Sequence, residues 1–190
     1  NWKVYKEPTV SRMINPTSEE VAKLFNYRLI GFNNRRYDNH ILYARYLNYS
    51  IEQIYDLSRR IVTTKKGSGQ GLFFGKAWNL SYMDLYDVAS TKQSLKKWEN
   101  VMHALHKELG LDWNKPVPEE LWTKVAEYCD NDVLSTELLY DYKDFQPDVQ
   151  ARLILADLAG MTPNDTTNSL TTRIIFGDNR EPQSNFNYRN

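Results

Sequence analysis

The 190-residue sequence predicts an α/β fold, with a mixed or parallel sheet flanked by helices. Three observations lead there. Two short runs rich in apolar and aromatic residues, Tyr27 to Phe32 and Ser81 to Val88, have the composition of buried strands. Around them, apolar residues recur at spacings of three and four, the helical period. The resulting order is helix, strand, helix, helix, strand, helix, helix, the alternation expected where helices cover a sheet.

The elements follow in chain order. Trp2 to Lys6 alternates and reads as a short strand, ended by Pro8. Thr17 and Glu20 have the spacing of a capping box and open a helix carrying Val21, Leu24 and Phe25. Tyr27 to Phe32 leaves through the polar loop Asn33 to Asp38 into a helix with Ile41, Leu42, Tyr46 and Leu47. Ser50 caps a helix with Ile51, Ile54, Leu57 and Ile61. Thr63 to Lys76 holds Gly67, Gly69, Gly71 and Gly75 but lacks the spacing of a phosphate-binding loop, so it reads as mobile surface. Ser94 opens a helix with Leu95, Trp98, Met102, Leu105 and Leu109 inward, closed by Gly110.

The stretch from Glu119 to Asp141 is the longest periodic segment. Pro116, Pro118, Glu119 and Glu120 are helix-start signals. Leu121, Val125, Tyr128, Asp132, Thr136 and Leu139 then fall on one stripe. After Pro147, Val149 to Leu158 is an amphipathic helix ended by Gly160, and Thr162 to Thr172 is rich in Thr, Asn and Ser. Residues 178–190 read as an extended or poorly ordered tail. Two parts are expected: a main domain over 1–147, and a helical connector and tail over 148–190.

Composition narrows the function classes. Hydrophobic residues at 41% and charged residues at 25% are those of an ordinary globular protein, with no apolar run long enough for a membrane helix. Lys+Arg and Asp+Glu balance at 24 each, so no net field draws the chain to nucleic acid, although local basic clusters still can. The single cysteine, Cys129, rules out an internal disulfide and fits a cytoplasmic protein. His40, His103 and His106 have no zinc-ligand spacing with Cys129 or each other. The opening Asn1-Trp2, without methionine, reads as a fragment or a processed piece.

The chemistry centres on Asp132, an aspartate in an apolar stripe, where a carboxylate is costly unless paired, hydrogen-bonded or metal-bound. Tyr128 lies one turn earlier on the same face. Asp38 follows a strand end, where ligands collect in open α/β sheets. If the two carboxylates converge, a hard divalent cation suits them. The plainer alternatives are that Asp38 caps the following helix and that Asp132 pairs with a buried Arg or Lys. Asp84 and Asp87 are expected in turns or facing solvent. Arg35 and Arg36 are expected on the surface, next to Asp38 and so within reach of phosphates.

Two motifs carry a family resemblance. Gly31-Phe32-Asn33-x3-Tyr37-Asp38 resembles the second exonuclease motif of the DnaQ-like 3′–5′ exonucleases, and Tyr128-x3-Asp132 resembles their third motif in its tyrosine form. Asp84-Leu85 followed by Ser94-Leu95-Lys96 resembles the strand and helix between them. The likeness covers about Trp2 to Tyr142, and the whole chain has the texture of the exonuclease region of phage-type DNA polymerases. It implies an RNase H-like sheet and four acidic residues holding two divalent ions, Mg²⁺ or Mn²⁺. By the same resemblance, Asp38 and Asp132 serve the metals and Tyr128 orients the attacking water. Asn33, Arg36 and Tyr37 shape the side that receives the 3′ end of single-stranded DNA. The setting implied is proofreading beside a polymerase domain, in the host cytoplasm if the protein is phage-encoded. The family's first motif, Asp-x-Glu on the first strand, does not occur between Asn1 and Asp38. The first strands therefore either lie in sequence outside these residues or are lost. The expectations are a 3′–5′ exonuclease region, feeble as it stands, or a catalytically inactive module of the same fold with a structural or nucleic-acid-binding role.

Overall fold

Helices dominate this mixed α/β chain. The computed structural model describes residues 2–4, 10–64, 75–112, 115–179 and 181–185. Tyr5 and Lys6 of the expected first strand, most of the glycine-rich stretch and residues 186–190 lie outside these. β1 (Trp2–Val4) pairs antiparallel with β2 (Ser11–Met13), in the register Trp2 to Met13. β3 (Ile30–Gly31) pairs parallel with β4 (Met83–Asp84), Ile30 against Met83.

The helices begin where local capping chemistry places them. α1 (Ser18–Leu24) opens on the Thr17/Glu20 capping box, and α3 (Ile51–Thr63) on a second box formed by Ser50 and Gln53. α2 (Asp38–Tyr46) lies between them and follows a short 3₁₀ turn at Asn34–Arg36. α5 (Leu95–Val101) is capped by Ser94, and α8 (Thr167–Phe176) by Thr166. α7 (Gln146–Ala159) ends at Gly160, whose φ of 61° is the left-handed conformation a glycine adopts without strain. α8 is a helix in a stretch whose Thr, Asn and Ser content suggested no element; Thr166 supplies the start and Leu170 the buried anchor.

Three segments depart from expectation. Of Ser81 to Val88, only Met83 and Asp84 pair as strand; Leu85–Val88 forms a one-turn helix, α4. The Asp84 side chain turns the chain there by accepting the Tyr86 N–H at 3.0 Å. The helix from Ser94 stops at Val101, so Leu105 is exposed rather than inward. His103 takes φ 55°, and the N–H groups of His103 and Ala104 bond back to Asn100 and Glu99, which closes the helix as a Schellman motif. The long helix starts as a 3₁₀ turn at Glu119–Leu121 and continues as α6 (Trp122–Asp141). Its buried line is Asn131, Ser135 and Leu139, one position beside most of the expected stripe, and Asp132 and Thr136 lie half-buried at its edge.

The core gathers Met83, Leu85, Val88, Leu139, Phe145 and Val149, with Ile30, Phe32 and Trp98 packed against it. Trp98 meets Phe145 edge to face at 5.4 Å. Packing thus runs from β3 and β4 through α4, α5 and α6 into the first turn of α7. Buried Arg152 of α7 adds polar ties by donating to the carbonyls of Asp87 and Asp165 and to the Thr167 hydroxyl. Among the described residues, no helix is long and apolar enough to cross a membrane.

Candidate active site

The parallel pair β3–β4 ends in two chain reversals, and one side chain organises both. The Asp84 carboxylate accepts the backbone N–H of Asn33 at 2.7 Å, of Arg35 at 3.1 Å and of Tyr86 at 3.0 Å. It stands where the chain turns from β4 into α4, but it is buried at 3% exposure, which corrects the expectation that it faces solvent. Burial pushes its carboxyl above the usual range, with the Asp87 charge adding to this while the three N–H groups oppose it. Those bonds shape the loop from Asn33, whose φ of 56° is left-handed, to Asp38. Gly31 is required just before it, because a Cβ there would come within 2.7 Å of the Asn34 side chain.

Asp38 is the first residue of α2, a position where a negative charge suits the helix dipole. The cap position belongs to Tyr37, which offers no side-chain bond. Asp132 lies in the middle of α6. Asp38 and Asp132 both line one cavity of about 840 Å³, whose walls include Ile30 on β3, Phe32 just after it, Leu42 and Arg45 on α2, and Tyr140 on α6. Asp38 retains contact with water but is crowded by protein. That crowding pushes its carboxyl upward and the charges of Asp84 and Asp132 push the same way, while a bond from its own backbone N–H opposes them. β3 also lies along this cavity, and among the described residues it pairs only with β4, so its second edge is open. Arg45 does not neutralise the acids; it donates to the carbonyls of Pro16 and Tyr49.

Asp132 has a counter-ion. Lys96 Nζ lies 2.6 Å from its Oδ1 and 4.5 Å from the centre of the Tyr128 ring. Of the alternative that Asp132 pairs with a buried Arg or Lys, the pairing holds in this structure, but Lys96 is half-buried rather than buried. Lys96 links the two α6 residues singled out by the sequence. The remaining candidates lie outside the cavity wall. The Tyr37 hydroxyl bonds the Ser58 hydroxyl of α3 at 2.6 Å. Arg36 is exposed over the Tyr86 ring at 5.7 Å, and Asn33 is tied to Asp84. Arg35 is not at the surface: it is 2% exposed, donates to Asp87 at 2.9 Å and stacks on Trp78 at 5.6 Å.

Sequence reasoning missed Glu99, which is fully buried beneath Lys96. Its carboxylate accepts from Ser135 Oγ at 2.7 Å and Asn131 Nδ2 at 3.1 Å, and faces His106 Nδ1 at 2.8 Å. Burial alone would raise its carboxyl. The bonds from Ser135 and His106 and the Lys96 charge outweigh that and hold it below the ordinary glutamate value. The readable signal was Glu99 at i+3 from Lys96 on a helix whose partner presents Asn131 and Ser135 four apart.

In donor type, Asp38 and Asp132 suit a hard cation: both offer carboxylate oxygen, and Asp38 forms no salt bridge among the described residues. In number they fall short. No group of three His, Cys, Asp or Glu side chains able to hold a metal ion occurs among the described residues. No protein-family model, curated protein or solved structure matches the chain.

Proposed function

We propose that this chain is the 3′–5′ exonuclease region of a DNA polymerase, built on an RNase H-like sheet and acting on the 3′ end of single-stranded DNA. The observation that carries the proposal is the convergence of Asp38 and Asp132 on one cavity, beside the open edge of β3. A further strand bearing Asp-x-Glu, laid along that edge, supplies the carboxylates that these residues lack. Asp38 and Asp132 would hold Mg²⁺ or Mn²⁺, which would supply an activated water and charge stabilisation for phosphodiester hydrolysis. By the resemblance, Tyr128 would orient the attacking water through its hydroxyl, and Arg36, Tyr37 and Asn33, outside the cavity wall, would meet the terminal nucleotide at its rim. Proofreading next to a polymerase domain, in the cytoplasm, is the setting this reading gives the chain.

A second reading is a catalytically silent module of the same fold. The Lys96–Asp132 pair favours it for these 190 residues, because a carboxylate already neutralised by an ammonium binds a cation less readily.

The test is degradation of a 5′-labelled single-stranded oligonucleotide in Mg²⁺ or Mn²⁺. The 190-residue chain is expected to shorten it feebly or not at all. A longer protein carrying an Asp-x-Glu strand upstream is expected to shorten it from the 3′ end. In that protein Asp132→Ala abolishes nearly all activity, and Tyr128→Phe costs less because the cation ligands remain. Parental rates in Asp132→Ala sink the nuclease reading.

A further inference from the structure

Arg36 and Lys92 lie on the two chain reversals that follow β3 and β4, the region where ligands collect in open α/β sheets. Both are exposed, and both reach the same ring. The Arg36 guanidinium lies 5.7 Å and the Lys92 ammonium 5.4 Å from the centre of Tyr86. Buried groups fix their places. The Asp84 carboxylate accepts from Asn33 and Arg35 on the first reversal and from Tyr86 on the second. Lys92 Nζ also donates to the carbonyls of Tyr86 at 2.7 Å and Asp87 at 3.0 Å, which leaves part of its donor capacity unused. Arg36 forms no hydrogen bond or salt bridge among the described residues, so its guanidinium donors are uncommitted. Neither cation is neutralised by the acids beneath it: Asp87 is bonded to Arg35, and Asp84 to backbone N–H groups.

We propose that Arg36 and Lys92 form a docking site for the phosphodiester backbone of single-stranded DNA, at the mouth of the cavity. The proposal rests on the reading that the chain meets single-stranded DNA, and not on hydrolysis. Two cations held in place without a carboxylate partner can take phosphate oxygens without first giving up an ion pair. The ring that carries them adjoins the cavity wall: Tyr86 meets Phe32 edge to face at 5.8 Å, and Phe32 lines the cavity. A strand whose last nucleotide lies in the cavity can thus lay its preceding phosphates on the two cations. Because the cations themselves occupy the Tyr86 ring, the site reads charge and not bases. With Lys+Arg and Asp+Glu balanced at 24 each, attraction to phosphate comes from a local pair of this kind and not from net charge.

Fluorescence anisotropy of a labelled oligothymidylate with the full 190-residue chain tests this, in EDTA so that hydrolysis plays no part. The parent is expected to bind, and to bind more weakly as salt rises. Arg36→Gln and Lys92→Gln are each expected to weaken binding several-fold and to lower the slope of log affinity against log salt by about 0.7. Lys92→Arg, which keeps the charge, is expected to retain most of the affinity. The dependence on both residues is expected to persist with oligoadenylate and to vanish with a neutral methylphosphonate backbone. Lys124→Gln, which removes an exposed cation of α6, is expected to leave binding unchanged. Parental affinity and slope in either Arg36→Gln or Lys92→Gln overturn the site, as does an equal loss in Lys124→Gln. Should Lys92→Gln fail to fold, Arg36→Gln decides alone. No binding by the parent overturns the site and the single-strand reading together. Dependence on both cations upholds the site whether or not the longer protein hydrolyses DNA.

Discussion

The Asp84 carboxylate accepts the backbone N–H of Asn33 at 2.7 Å, across 51 residues of sequence, and so fixes the loop that delivers Asp38 to the cavity. Asp84→Ala leaves three backbone donors without their acceptor. It is expected to cost about 2–4 kcal/mol in urea unfolding. Asp84→Asn, which retains one acceptor oxygen, is expected to cost less. Equal stability of Asp84→Ala and the parent would contradict the role given to this side chain.

Gly31 tests the same loop from the other side. A methyl group at this position meets the buried Asn34 side chain, which has little freedom to yield. Gly31→Ala is expected to destabilise by about 1–3 kcal/mol. Pairing it with Asn34→Ala, which clears the space, is expected to reduce that penalty. A double-mutant cycle with no coupling counts against the contact.

Asp38 is held where its charge is disfavoured by crowding and by two neighbouring carboxylates. A carboxyl raised in the folded state loses stability as pH rises from its unfolded value through its folded one, so at neutral pH the ionised group destabilises the fold. Asp38 is exposed to solvent and its charge suits the start of α2, so the effect is small and Asp38→Asn is expected to leave the thermal midpoint at neutral pH unchanged or slightly raised. A lowered midpoint would mean that Asp38 is structural.

Glu99 has the opposite sign. Its carboxyl is depressed in the folded state, so its contribution is complete above the ordinary glutamate value and is lost as pH falls through the folded one. Thermal melts between about pH 6 and about pH 3 are expected to fall more steeply for the parent than for Glu99→Gln. Parallel slopes would remove Glu99 as a contributor to acid sensitivity.

The sequence by itself determined the helix boundaries set by nearest neighbours. The capping box at Thr17, the caps at Ser50 and Ser94 and the stop at Gly160 each involve side chains and backbone within a few residues, so spacing alone reveals them. It also singled out Asp38 and Asp132, because a carboxylate after a strand and another amid apolar neighbours both break the local pattern. Tertiary structure alone decided the rest. Asp84 was read as a turn residue because the Asn33 and Arg35 donors that bury it lie about fifty residues away. β3 and β4 shrank to two residues each because pairing depends on the partner and on Asp84 turning the chain. Glu99 gave one local sign, Lys96 three residues earlier, but its other donors come from α6 and from the chain beyond the Schellman turn. Whether Asp132 faces a cation or an ammonium was likewise set by how α5 packs against α6, which brings Lys96 within reach.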